Sequence, residues 1–411
     1  MPTPASIQRV YLLLMLGNTL AASLIWGINT LFLLDAGLSN LEAFAANAFF
    51  TAGMVLFEVP TGVTADTVGR RASYLLGTVT LALTTLLYVL LWRLHGPFWA
   101  WALVSMLLGL GFTFFSGAVE AWLVDALEAT GFEGKLESVL GKGQVVSGAA
   151  MLTGSVAGGY LAQLTSLGVP YVLRGLVLGL LFALAFFLMH DVGFTPKRGA
   201  RLGPEMRRIV GASLRHGWRV PAVKWLMLAS PFSAGVGMYV FYALQPYLLQ
   251  LYGDPGAYGV AGLVAAIVAG AQIVGGLAAP WIRGRFQRRT SALLAAAGVS
   301  ALSLVLIGLL PRFGWVLVLI AAWGLLFAAS MPIRQAYLNG LIPSEQRATL
   351  LSFDSMMGSG GGVVFQPVLG RAADVWGYAS SFLLSAALSL LALPFLLASR
   401  RQRAPADEAA G

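Results

Sequence analysis

The stretch GVTADTVGRR, Gly62 to Arg71, decides how the rest of the chain is read. It sets one acid and two arginines between two glycines, and it separates two long apolar runs. A plain solvated loop needs no such fixed spacing. A loop that closes and reopens against a neighbouring helix does. Gly62 would let two helices approach closely, and Gly69 would permit a tight reversal. Asp66 would accept hydrogen bonds from the N-terminus of an opposing helix, where the dipole favours an anion. Arg70 or Arg71 would pair with an acid at the inner end of the fourth apolar run, where Asp125 stands. Glu58, one helical turn before Gly62, would make a structural hydrogen bond near this latch.

The surroundings of the motif are built for lipid. Of 411 residues, 58% are hydrophobic and 10% charged, with a mean hydropathy of +0.79, far too little charge to cover a water-soluble domain of this size. The absence of cysteine excludes disulfides, thiolate metal sites and cysteine nucleophiles. Met1 to Gln8 lacks a basic leader, so the first apolar run reads as a retained span. About 20 mostly apolar residues cross a bilayer as a helix. Such windows fall at 10–34, 42–65, 72–92, 98–126, 138–165, 169–190, 222–251, 257–281, 290–310, 313–340, 346–374 and 377–399. The expected fold is an all-α membrane protein of twelve transmembrane helices in two six-helix bundles. Residues 1–190 would form the first bundle, 191–221 a cytoplasmic linker, 222–400 the second bundle and 401–411 a cytoplasmic tail.

Placing both termini in the cytoplasm puts 21 of the 26 lysines and arginines on the inner side. That is the positive-inside asymmetry. The net charge of +9 is then a topology signal, and nucleic acid is excluded as a partner. In the linker, Met206, Ile209, Val210 and Leu214 share one helical face edged by Arg207, Arg208 and Arg215. This suits either a short helix lying on anionic headgroups or a plain solvated connection.

The Gly62–Asp66–Gly69–Arg70–Arg71 spacing, between the second and third of twelve spans, resembles the signature loop of the major facilitator superfamily. The six-plus-six layout extends that resemblance over essentially the whole chain. It implies the major facilitator fold and alternating access, with the loop acting as an inner gate. In the fifth span, Gly141, Gly154, Gly158 and Gly159 are similar to a glycine pattern of the superfamily's exporters, with Ser155 where that pattern has proline. Thr113 stands where many proton antiporters carry an arginine. The loop RGRFQRR after the eighth span lacks an acid equivalent to Asp66. Gly370, Asp374 and Gly377 repeat the signature spacing on the predicted outer side, so Arg371 and Asp374 are candidates for an outer latch, with simple turn chemistry as the alternative.

Ionisable residues inside spans are costly and functional by default. Glu120 in span four is expected to be buried toward a central cavity, facing Arg334 of span ten and carrying a proton; Asp354 of span eleven is the rival carrier. Arg174 near the end of span six would snorkel. Asn29, Tyr239, Tyr242, Gln245, Gln335 and Asn339 are candidate polar cavity groups, and Trp26, Phe115 and Tyr337 candidate flat walls. No metal site, phosphate-cradling loop or nucleophile with a placed base emerges, so neither enzyme activity nor a cofactor is expected. The reading is a monomeric, proton-coupled exporter of amphipathic or hydrophobic small molecules in a bacterial cell (inner) membrane, of the multidrug antiporter kind. Its partners would be small-molecule substrate, protons and membrane lipids. The alternatives are a proton-coupled carrier of a polar or anionic metabolite, with Arg334 holding the cargo, and a lipid flippase.

Overall fold

In lipid every backbone polar group must be satisfied inside its own segment, which leaves helices as the solution for long apolar windows. The computed structural model describes residues 2–115, 117–195, 220–342 and 347–408, the side chains of 347–349 excepted, and its described part is all helix and connection. The linker residues Met206, Arg207, Arg208, Ile209, Val210, Leu214 and Arg215 lie outside the described residues.

Span one begins at Pro4 behind a capping box made by Thr3 and Ser6, ends at Trp26 and restarts as Asn29–Asp35. Span two is Asn40–Thr67, span three Arg70–Leu94. Span four breaks into Phe98–Thr113 and Ala118–Ala129, with Gly117 at φ 70°. Spans five and six are Leu136–Leu164 and Gly168–Leu188. Span seven runs Pro221–Ser230, a π-helical turn Pro231–Gly235 and Val236–Tyr252. Spans eight, nine and ten are Tyr258–Gly284, Arg289–Leu309 and Phe313–Leu341. Spans eleven and twelve form one stretch, Arg347–Leu390, broken only by Gly377 at φ 79°, and Ala392–Arg401 completes the last. Among the described residues this makes twelve passages. The sequence windows missed the interruptions of spans one, four and seven, because hydropathy does not register a local break.

The helices are inside-out relative to a soluble protein. Leu83, Leu90, Leu180 and Leu277 are exposed, whereas Thr78, Ser105, Ser381 and Ser385 are buried. The buried hydroxyls of Thr78 and Ser385 donate to carbonyls one turn back, as do those of Thr61 and Thr84, so these four side chains ride inside helices with their donors satisfied.

The chain divides into two compact units. The first holds Met1–Gly37, Phe49–Glu205 and Gly256–Ala266; the second holds Leu38–Ala48, Met206–Pro255 and Ile267–Gly411. Relative to the sequence division at the linker, the start of span two has gone to the second unit and the start of span eight to the first. In the first unit Tyr11, Tyr74, Trp122 and Leu181 form the core; in the second, Leu226, Leu293, Tyr337 and Leu396 do so.

Span five packs on span one through glycine. A Cβ at Gly154 would lie 2.0 Å from Ser23 Oγ, and one at Gly158 would lie 1.9 Å from the Leu24 carbonyl oxygen. Gly141, which belongs to the same sequence pattern, faces open space. So does Gly62, against the expectation that it serves close helix approach. Gly158→Val should therefore destabilise the protein by about 2 kcal/mol or more, while Gly141→Val should leave the thermal midpoint of the detergent-purified protein essentially unchanged. Equal effects from the two substitutions would refute this assignment.

Candidate functional site

The opening motif sits at the turn between spans two and three, with Gly69 at φ 131° reversing the chain. Arg70 pairs with Asp66 one turn before it, and its Nε lies 3.8 Å from Asp125 Oδ2 of span four. Arg70 also stacks over Phe194, 5.7 Å from the ring centre. Asp191, just past the end of span six, performs a task that sequence reasoning did not assign. Its Oδ1 accepts the backbone N–H of Arg71 at 2.9 Å, capping span three, and its Oδ2 fills the space a side chain at Gly69 would need. Arg71 itself donates to the Phe186 carbonyl. Glu58 is exposed.

The second unit repeats this device with different residues. The loop 285–288 has no acid of its own, but Asp407 from the segment after span twelve is 1% exposed and holds the start of span nine. Its Oδ1 accepts the Thr290 N–H and its Oδ2 the Thr290 hydroxyl, both at 2.7 Å. Arg289 donates to the Ala406 carbonyl, and Arg288 lies 3.5 Å from Glu408. Asp191 and Asp407 each follow the last span of their half and cap that half's third. The signal available in the sequence was an acid soon after spans six and twelve.

Asp374 is the third such carboxylate. Its Oδ1 accepts the Asn40 N–H at 3.0 Å and its Oδ2 the Leu41 N–H at 2.9 Å, within the second unit. Tyr378 donates to Asn40 Oδ1, and a Cβ at Gly370 would meet the Asn40 carbonyl oxygen at 2.8 Å. The first turn of span two is thus clamped by the stripe Gly370–Asp374–Tyr378. Arg371, expected to serve the latch with Asp374, takes no part in it.

Arg334 is expected to face Glu120. Instead it is bound inside its own unit. Both terminal nitrogens donate to the Asp354 carboxylate, and Nη2 also reaches the Leu226 carbonyl oxygen at 3.1 Å and Ser230 Oγ at 3.2 Å. One guanidinium so ties together spans seven, ten and eleven. Asp354 is 7% exposed. A cavity of about 80 Å³ opens beside Arg334, with Trp323, Phe327, Ser300 and Ser389 in its walls. Glu120 is exposed, the opposite of its expected burial, because the helix restarts at Ala118 and turns it outward.

Several cavity candidates prove to be core residues with satisfied tips. Asn29 accepts from the Tyr171 hydroxyl at 2.9 Å; Tyr239 donates to Ser381 at 2.6 Å; Tyr337 bonds Ser399 at 3.1 Å; Gln245 is buried. Phe115 packs on Tyr74. Arg174 does not snorkel: it is 2% exposed, over the Phe112 ring. Trp26, Tyr242 and Asn339 are half-buried, and Gln335 is exposed. Among the described residues no cluster of His, Asp or Glu has the makings of a metal site.

Residues 11–309 and 232–411 match the family model of the Major Facilitator Superfamily. No curated protein matches the chain. Among solved structures, that of a point mutant of the nucleoside transporter NupG superposes with a TM-score of 0.78 at 12% identity, covering 96% of this chain and 99% of that one. A bacterial homologue of the human lysosomal transporter Spinster, inward-facing and unoccupied, gives 0.71 at 16% identity with both chains fully covered. A POT family transporter in complex with 5-aminolevulinic acid gives 0.70 at 12% identity, with 95% of this chain and 94% of that one covered.

Removing a carboxylate cap exposes orphaned N–H groups at a cost of about 1 kcal/mol. Asp407→Ala should accordingly raise amide exchange and tryptic cleavage around Arg288 and Arg289 several-fold, and Asp374→Ala should do the same for exchange at 40–43. Unchanged exchange at these helix starts would show that the caps carry no stability.

Proposed function

The chain belongs to the Major Facilitator Superfamily, and on that premise we propose that it is a proton-coupled exporter of amphipathic or hydrophobic small molecules, working by alternating access. The observation that carries the proton reading is the Arg334–Asp354 pair, with its adjacent cavity. A buried ion pair is a poor device for stability, since desolvation cancels much of its attraction, but breaking one is worth several kcal/mol. Protonating Asp354 takes the counter-charge from Arg334 and leaves it neutral acceptors alone, the acid's carbonyl oxygen, the Leu226 carbonyl and the Ser230 hydroxyl, so loading a proton alters the packing of spans seven, ten and eleven together. The cavity, of about 80 Å³, has room for water beside Arg334. Glu120 remains the rival carrier, its exposure making it the easier group to reach but the weaker one to couple.

Three carboxylate caps support the alternating part. Two of them, Asp191 and Asp407, tie the inner loops to their own bundles; the third, Asp374, holds one end of a span whose remainder belongs to the other unit. Releasing that end breaks two hydrogen bonds to a carboxylate and the one from Tyr378 to Asn40, which suits a gate. Asp66 and Arg70 form the inner counterpart.

A carrier of an anionic metabolite would need Arg334 free for the cargo, and it is taken by Asp354. The nucleoside and 5-aminolevulinic acid named for the solved structures belong to those proteins; the likeness to this chain is one of fold.

In vesicles with an imposed pH gradient, Asp354→Asn should lower the initial rate of cargo accumulation by about an order of magnitude or more, the scale set by losing a buried ion-pair partner, while cargo binding, read by thermal shift, persists. Glu120→Gln should transport at close to the rate of the unaltered protein. The reverse pattern assigns the proton to Glu120. Proton flux evoked by labelled anionic metabolites but not by hydrophobic cations would overturn the cargo class.

A further inference from the structure

The clamp on span two leaves Arg371 without the partner its position suggested. Asp374, three residues on, is committed to the backbone of Asn40 and Leu41. Arg371 is exposed and makes no hydrogen bond or ion pair with any described residue. It stands over a concave surface of about 460 Å³ whose other walls are Leu41, Pro367, Val368, Ala372, Val375, Trp376 and Leu384. Apart from the arginine, these side chains are apolar. A volume of this order lies within the range of ligand-holding clefts, about 300–1,000 Å³. Trp376, 66% exposed, and Arg371 occupy the last turns of span eleven before the break at Gly377. The end of a membrane-crossing helix lies at headgroup depth, where tryptophan and arginine sit most favourably.

An apolar groove crowned by one uncompensated guanidinium matches one kind of molecule available at that depth. We propose that this groove binds an anionic phospholipid, its phosphate on the Arg371 guanidinium and an acyl chain along Val368, Val375 and Leu384. Guanidinium and phosphate match in planar, two-pronged geometry, and the weak hydration of guanidinium makes it the better cation at a partly dry surface. Leu41 gives the groove a further property. Its N–H is one of the two that Asp374 holds, and its side chain is a wall of the groove. The complete groove therefore exists only while the start of span two is clamped. A lipid that needs that wall favours the clamped state over the released one, by as much as its affinity differs between them. Anionic lipid would thus bias the gate at the Asp374 end.

The test uses the whole purified protein in mild detergent, titrated with phosphatidylglycerol, with phosphatidylcholine of the same acyl chains, or with inorganic phosphate. Bound lipid is read by native mass spectrometry and stability by thermal shift. The unaltered protein should prefer phosphatidylglycerol; Arg371→Gln should weaken that lipid about fivefold, the worth of one interfacial cation near an anionic surface, and remove the preference. Arg371→Lys should keep most of it, which separates lost charge from misfolding. Asp374→Asn, which loosens the clamp and leaves Arg371 in place, should also weaken phosphatidylglycerol binding. Equal phosphatidylglycerol affinity in Arg371→Gln, or no preference over phosphatidylcholine in the unaltered protein, overturns the site. Stabilisation by inorganic phosphate alone overturns the lipid in favour of a simple anion. An unchanged affinity in Asp374→Asn overturns the coupling to the gate.

Discussion

A carboxylate held against the first backbone N–H groups of a neighbouring helix is the contact on which this molecule relies most. A helix start has donors with no partner in its own segment, and near the membrane surface water serves them less well than in bulk. Asp191, Asp374 and Asp407 each supply the missing acceptor together with a favourable charge for the helix dipole. Two of the three occupy corresponding places in the two halves, although the local sequences HDVGF and ADEAA share little beyond the acid. What has been kept is the interaction and its position in the bundle.

This explains which parts of the structure were legible in the sequence. The twelve spans could be placed within a few residues, because lipid imposes a length and an apolar composition that no tertiary contact overrides. Gly69 could be assigned its reversal because a φ of 131° admits little else. The proximity of Arg70 to Asp125 could be anticipated from the motif. The Asp407 cap was marked only by an acid soon after span twelve, and its partner 117 positions away adds no local pattern to that. The polar cavity candidates failed for a related reason. Asn29, Tyr239 and Tyr337 are expected to face a cavity, but a helix inside a bundle has two buried faces, and composition does not tell which one carries the polar tip. Their partners Tyr171, Ser381 and Ser399 settle that they face inward to their own bundle.

The misplacement of Glu120 has a sharper cause. Treating span four as one continuous helix puts Glu120 and Asp125 at a fixed angle and sends one of them inward. The break between Thr113 and Ala118 resets that angle. The same kind of interruption recurs in spans one and seven, the first of each half. Interrupted helices at corresponding positions are where transporters expose backbone to cargo and ions. The regularity assumed by a helical wheel is therefore least safe in interrupted spans such as these.

Magnitudes separate the work of the caps from that of the ion pair. Each cap is worth about 1 kcal/mol, so any one can open on a small bias, and a gate made of them moves without a deep trap. Leaving Arg334 buried without a counter-charge would cost about 3–5 kcal/mol. A proton driven across the membrane delivers about 1.4 kcal/mol per pH unit and about 2.3 kcal/mol per 100 mV. One proton thus supplies enough to work several caps but barely enough to strand the arginine. On protonation of Asp354, Arg334 must then rely on neutral partners, and those within reach are the Leu226 carbonyl and the Ser230 hydroxyl it already holds and water in the cavity beside it. Two of the three belong to span seven, in the segment that ends where the chain changes from α-helix to a π-turn. A π-turn carries looser backbone hydrogen bonding than an α-helix and is where a helix most readily shifts register. Under the proposed proton coupling, the acid on span eleven and the weak point on span seven are joined by a single side chain, Arg334, as a coupling element requires.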